Sequence, residues 1–161
     1  MSTTLDFPVT THGPGAGRTA STPPPPAPPP PVVLALLDDA EEGLDAAEHE
    51  PNPARRFAQA YLCALRAAAA VLAVRGRPHR GPARPASVWT LLAAVAPELR
   101  EWAAFFAAES ATRARAQAGI TRVVTARTAD DLVRQAGQFL DLAGRACRSR
   151  KRSPRSTPGR T

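Results

Sequence analysis

The sequence predicts an all-α protein: an antiparallel helical bundle of four to five helices with a disordered tail at each end. Three observations predict it. Alanine, the strongest helix former, dominates the apolar residues, and β-branched residues are sparse. Apolar residues recur at spacings of three and four along several stretches, which is the period of one helix face. Prolines cluster between those stretches, where they end one helix and admit the next. The expected organisation is a Pro-rich arm over 1–31, a bundle over 32–146 and a basic tail over 147–161.

The arm is rich in Thr, Ser, Gly and Pro and ends in the run Pro23 to Pro31, broken only by Ala27. Such a segment has nothing to bury and favours extended polyproline II. It suits a stiff spacer or the aromatic groove of a partner.

The first helix is expected from Val32 to about Glu50. Val33, Leu37, Ala40, Leu44 and Ala47 make one apolar stripe, and Asp38, Asp39, Glu41, Glu42, Asp45, Glu48 and Glu50 occupy the other face. Pro51 and Pro53 separate it from a second helix over about 54–74. There Phe57, Tyr61, Leu65, Ala68 and Leu72 form a stripe that Leu62, Ala69 and Val71 widen, so the helix is apolar nearly all round and belongs at the centre. Its length and hydropathy also suit a membrane span, but Arg66 in its middle and its alanine content favour a buried core helix.

Gly76, Pro78, Gly81, Pro82 and Pro85 enforce a loop. Ser87 is placed to cap a third helix carrying Trp89, Leu91, Leu92 and Val95. Pro97 suits the first turn of another, in which Leu99, Trp102, Phe105 and Phe106 are expected to anchor the core. That helix runs towards Gly119, a suitable stop. The last helix is expected over about 128–146, with Thr128 and Asp131 as a capping box and Leu132, Ala136, Phe139 and Ala143 as its stripe.

Charge is unevenly spread. The net charge is +7. Seven bases lie in residues 145–161 and four in 75–86, and neither stretch holds an acid; the remainder has ten bases against 14 acids. A basic tail of this kind attracts polyanions without a specific pocket. Every base but Lys151 is arginine. With so much alanine, proline and glycine, this is the composition expected of a GC-rich bacterium.

The start of the chain lacks a basic segment followed by an apolar run, so no signal peptide is expected. Cys63 and Cys147 have neither the spacing of a redox pair nor histidines at ligand distance, which suits reduced thiols in a cytoplasmic protein. No metal, cofactor or membrane association is expected.

Three constellations bear on function. The loop Arg75-Gly-Arg77-Pro-His79-Arg80, with Arg84 beyond, combines phosphate-binding arginines with a histidine able to move a proton. His79 is the candidate catalytic residue. The tail offers Arg148, Arg150, Lys151 and Arg152 as phosphate contacts by counterion release, without aromatic residues for base stacking. The acidic face of the first helix suits a solvated or partner-facing surface, including the basic tail of the same chain at low salt.

The centre of the chain resembles a known family. The carriers are Tyr61-Leu-Cys-Ala-Leu-Arg66-Ala-Ala-Ala-Ala-Val-Leu72, then Val88-Trp89, Leu91-Leu92, Val95-Ala-Pro97-Glu-Leu99, Glu101-Trp102 and Phe105-Phe106, and last Val124-Thr-Ala-Arg127 with Ala129-Asp-Asp131-Leu132. Over about residues 32–146 this resembles an actinobacterial subgroup of HEPN-domain proteins. The resemblance implies a helical bundle, often a homodimer, associated with RNA or nucleotide binding and with toxin–antitoxin and defence systems. Many HEPN proteins are metal-independent ribonucleases that carry Arg-x4–6-His late in the bundle. This chain departs from that pattern: its last helix has no histidine, and none of His12, His49 or His79 follows an arginine at that distance. The expected function is therefore a non-catalytic module for RNA, nucleotide or a protein partner. The alternatives are a divergent ribonuclease using Arg75, Arg77 and His79, and a protein-interaction scaffold working through the arm.

Overall fold

The computed structural model describes residues 27–76 and 86–149. Among these, five α-helices form the fold: α1 (Pro31–His49), α2 (Pro53–Arg75), α3 (Val88–Val95), α4 (Arg100–Gln117) and α5 (Ala126–Arg148). Single 3-10 turns, Pro97–Leu99 and Thr121–Val123, lead into α4 and α5. The expected disorder of residues 1–26 and 150–161 lies outside the described residues. The helical body extends slightly beyond its expected limits at both ends. Proline is tolerated in the first turn, where its missing N–H has no helical partner, so α1 begins at Pro31. Cys147 is buried, and its burial carries α5 through Arg148.

Local chemistry explains the boundaries. Asn52 caps α2, its side-chain oxygen accepting from the backbone N–H groups of Ala54 (3.0 Å) and Arg55 (3.1 Å). Ser87 caps α3 as expected, accepting from the Thr90 N–H at 3.2 Å. The α5 cap is Thr125, which accepts from the Thr128 N–H at 3.1 Å. Thr128 is thus inside the helix, and the capping box proposed for it with Asp131 does not form. At the end of α4 the Ile120 N–H reaches the Arg115 carbonyl and the Gly119 N–H that of Ala116, a Schellman closure. It requires the left-handed backbone that Gly119 adopts, with φ 85°.

The helix α2 is the axis of the molecule. It packs against α1, α3, α4 and α5, as its nearly continuous apolar surface predicts. Its run of small residues, with Ala60, Ala64, Ala67, Ala68 and Ala70 all fully buried, lets the neighbouring helices approach closely. The expected stripes of α1 and α5 face it, with Val33, Leu37, Ala40 and Ala47 on one side and Leu132, Ala136, Phe139 and Ala143 on the other. Leu62 is the large apolar exception on α2, 37% exposed.

Large side chains fill the wider end formed with α3 and α4. Trp89 stacks on Phe106 with ring centroids 5.1 Å apart, and Phe139 meets Phe106 at 5.2 Å. The Trp89 indole N–H donates to the Tyr61 hydroxyl at 2.8 Å, which satisfies the polar atoms of two buried rings. Leu99 and Phe106 anchor this core as expected, and Trp102 is half-buried. Phe105 does not anchor it. Adjacent residues on a helix point about 100° apart, so with Phe106 turned inward Phe105 lies at the rim, 36% exposed.

One arginine ties three elements together at the start of α2. Arg56 donates through Nε to the Glu50 carbonyl at 2.8 Å, through Nη2 to the Pro51 carbonyl, and through Nη1 to the Asp130 carboxylate on α5. Its side chain is mostly buried and Asp130 mostly exposed. Arg56→Ala is expected to lower the unfolding free energy by about 1–3 kcal/mol, because it strands backbone acceptors as well as the ion pair. Asp130→Asn should cost less than about 1 kcal/mol, since only the solvent-screened partner changes. Urea titrations of the two variants check the ordering.

Candidate nucleic-acid interface

The helix directions decide which chain segments meet. Arg56 joins the first turn of α2 to the first turn of α5. At the other end, Cys147 on α5 lies within the electrostatic reach of Arg75, the last residue of α2, and of Arg148. Helices α2 and α5 are therefore parallel. A groove that sets Glu41, Asp45 and Glu48 of α1 against Asp141, Leu140 and Gly137 of α5 makes α1 antiparallel to both. The start of α1, the end of α2 and the end of α5 thus share one pole. The start of α3 joins them, because Ala86 and Val88 line an apolar groove of about 600 Å³ with Leu36, Leu72, Ala73 and Gly76.

This pole is where the charged segments are rooted. Residues 77–85 leave from Gly76 and return at Ala86, and residues 150–161 leave from Ser149. Together they hold eight bases and no acid. The two stretches are more than 60 residues apart in the chain. Arg77, His79, Arg80 and Arg84, and likewise Arg150, Lys151 and Arg152, lie outside the described residues.

The two described members of the predicted set differ. Arg75 is drawn into the fold: its guanidinium pairs with Glu98 and reaches the Val95 carbonyl at 3.5 Å, and its side chain is mostly buried. It braces the end of α2 against the turn between α3 and α4. Arg148 is exposed at the end of α5, and its guanidinium lies back against Gly144, 3.4 Å from where a Cβ would stand. Long helical side chains lean towards the N-terminus in this way.

A second basic group stands at the opposite pole, and sequence reasoning missed it. Arg55 begins α2, Arg115 ends α4, Arg122 lies in the link and Arg127 begins α5; all four are exposed. Arg55 shares a small depression with Ala116 and Gln117. Nearby carboxylates are engaged, Asp130 with Arg56 and Asp131 with Arg134. Beside this group the Arg113 guanidinium lies over the Tyr61 ring, 5.1 Å from its centroid, a cation–π contact that closes α4 onto α2. The signal is spread between Arg55 and Arg127, so no local charge run announces it.

The carboxylates of α1 fan into solvent as expected. Among the described residues no three His, Cys, Asp or Glu side chains converge as a metal cage. His49 is at the far end of α1, and its Nδ1 lies 2.8 Å from the Asp45 carbonyl. That contact and the Asp45 charge hold its pKa above the ordinary value.

Both thiols are buried among apolar groups. Burial pushes Cys63 up to about 12, and it also raises Cys147, where Arg75 and Arg148 offset part of the rise. A folded-state pKa above that of the unfolded chain favours the fold only while the unfolded thiol is protonated. The Cys63 contribution is complete below pH 9 and is lost as pH rises from about 9 towards 12. The unfolding free energy should fall in that window by up to about 1.4 kcal/mol per pH unit. Urea titrations across it should show a shallower fall for Cys63→Ala.

The helix Pro53–Arg75 is long and apolar enough to cross a membrane, and more than half of its apolar window is buried inside the bundle. A family model described as SAV_6107-like HEPN matches residues 47–143. The match begins near the end of α1 and closes within α5, so it takes in the aromatic core and the far basic pole. No curated protein and no solved structure matches the chain.

Proposed function

The chain belongs to the SAV_6107-like HEPN family, and from that membership we propose that it is a non-catalytic module that binds single-stranded RNA at the pole where residues 77–85 and 150–161 are rooted. One observation carries the reading. Two acid-free basic segments, distant in sequence, start from the same end of a rigid bundle. A polyanion that meets one is then within reach of the other, and linked weak contacts raise each other's effective concentration. Arg148 adds an exposed base at that pole. Binding of this kind is electrostatic and shows little sequence preference.

The non-catalytic part rests on the residues of the last helix. Phosphodiester cleavage without metal needs a group to move a proton. Helix α5 holds no histidine, and Arg75, a member of the proposed alternative site, is committed to Glu98 and Val95. The test is a labelled single-stranded RNA incubated with the full chain. The expected result is a saturable mobility shift with the RNA recovered at full length. RNA shortened by the full chain but recovered at full length with the His79→Ala variant would replace this reading with a ribonuclease centred on the loop. A protein that leaves the RNA unshifted would remove RNA as the ligand.

A further inference from the structure

The groove between α1 and α5 has a floor of Leu44, Gly137 and Leu140, a rim of four carboxylates from two helices, and a volume of about 340 Å³. No base lines it. On α1 the acids Asp38, Glu41, Asp45 and Glu48 follow at spacings of three, four and three, which aligns them in one row beside α5. Like charges at that spacing repel one another. Asp141 adds a fifth from across the groove. On α1 itself only His49 approaches the row, 3.7 Å from Asp45 at the far end.

The groove and the C-terminal tail belong to the same side of α5. Asp141, Gly144 and Arg148 follow at spacings of three and four along one flank of α5, with Asp141 lining the groove and the Arg148 guanidinium laid back over Gly144. The chain leaves α5 at Ser149. From there Asp141 is about 12 Å down the helix and Gly137 about 18 Å. An extended chain covers those distances in about four and six residues. Turned back along the groove, a tail that docks there would bring residues 152–153 about level with Asp141 and Arg155 about level with Gly137. Residues 150–161 lie outside the described residues, and they carry five bases and no acid.

We propose that residues 150–161 dock along the α1–α5 groove of their own molecule, their arginines against Glu41, Asp45, Glu48 and Asp141. The methylene stems of arginine cover the apolar floor while the guanidiniums meet the rim. The contact is electrostatic at its edges, so it closes at low salt and opens as salt screens it. It masks the tail until a stronger polyanion competes for it, and it is independent of whether RNA is that polyanion.

The test uses the full chain carrying Ser156→Cys with a nitroxide label, since the two native thiols are buried. At low salt the label should broaden the backbone amide signals of Glu41 to Glu48 and of Gly137. The broadening should vanish at 0.5 M salt, and also in a variant with Glu41→Gln, Asp45→Asn, Glu48→Gln and Asp141→Asn. These four positions are at the surface, and far-UV circular dichroism confirms that the variant is folded. Broadening that persists in the variant or at high salt overturns the proposal, as does broadening confined to other surfaces. Mixing labelled with unlabelled isotopically enriched chain separates the remaining outcome: signals broadened only between molecules assign the groove to a second copy and overturn it too.

Discussion

Phe106→Ala is expected to lower the unfolding free energy by about 3–5 kcal/mol, while Phe105→Ala, one residue away, costs about 1 kcal/mol. Phe106 is fully buried and touches Tyr61, Trp89, Trp102 and Phe139, so it is the hub of the aromatic core. Deleting its ring leaves a cavity that four rigid rings around it cannot collapse to fill. Phe105 meets Phe106 edge-on at 5.0 Å and Trp102 at 6.5 Å, and is otherwise at the rim, where water fills the space it leaves. A domain of this size is stable by roughly 5–15 kcal/mol. The larger loss removes a substantial part of that, and Phe106→Ala should be partly unfolded at 37 °C. Urea unfolding at 25 °C followed by far-UV circular dichroism measures both. Equal losses would mean that α4 is rotated from the orientation described.

The second large effect concerns salt. Eight bases lie in the two segments rooted at this pole, Arg77, Arg80, Arg84, Arg150, Lys151, Arg152, Arg155 and Arg160, and Arg148 adds a ninth at the end of α5. Each phosphate neutralised on a single strand contributes about −0.7 to the slope of log affinity against log salt. With about six contacts engaged the slope is about −4, a loss of roughly 300-fold in affinity between 50 and 200 mM salt. Changing Arg150, Lys151 and Arg152 to glutamine should make the slope shallower by about 2. A tail that docks on its own groove adds a signature at the low-salt end, where competition from Glu41, Asp45, Glu48 and Asp141 flattens the plot. A slope near zero would point to binding by stacking or hydrogen bonding in the folded body.

The sequence announced the architecture more fully than the site, for physical reasons. Helix existence is local. The stripes of α1, α2 and α5 and the prolines at 51, 53 and 97 carry it, and the apolar surface of α2 marks it as central without knowledge of its neighbours. Details decided by tertiary packing were not legible. Thr125 and Thr128 are both good caps, and the aspartate three residues after Thr128 favoured the wrong one. Of the neighbours Phe105 and Phe106 only one can face inward, and the choice depends on where α2 and α5 lie. The fate of Arg75 depends on the turn at Pro97 returning Glu98 to the end of α2. The two basic poles were invisible for the same reason. A charge run such as 150–152 can be read along the chain, whereas Arg55, Arg115, Arg122 and Arg127 become a group only once α2, α4 and α5 are oriented. That second pole makes the location of the interface a question of geometry and not of charge alone.

RNA binding at the pole where the loop and tail are rooted separates the two basic ends of the bundle. Its most direct test is a fluorescence-anisotropy titration of single-stranded RNA at near-physiological salt with three folded proteins: the full chain, the chain with Arg150, Lys151 and Arg152 changed to glutamine, and the chain with Arg55, Arg115, Arg122 and Arg127 changed to glutamine. At least a tenfold loss of affinity is expected for the first variant and less than a twofold change for the second. A loss confined to the second variant would contradict it and move the interface to the opposite end of the bundle.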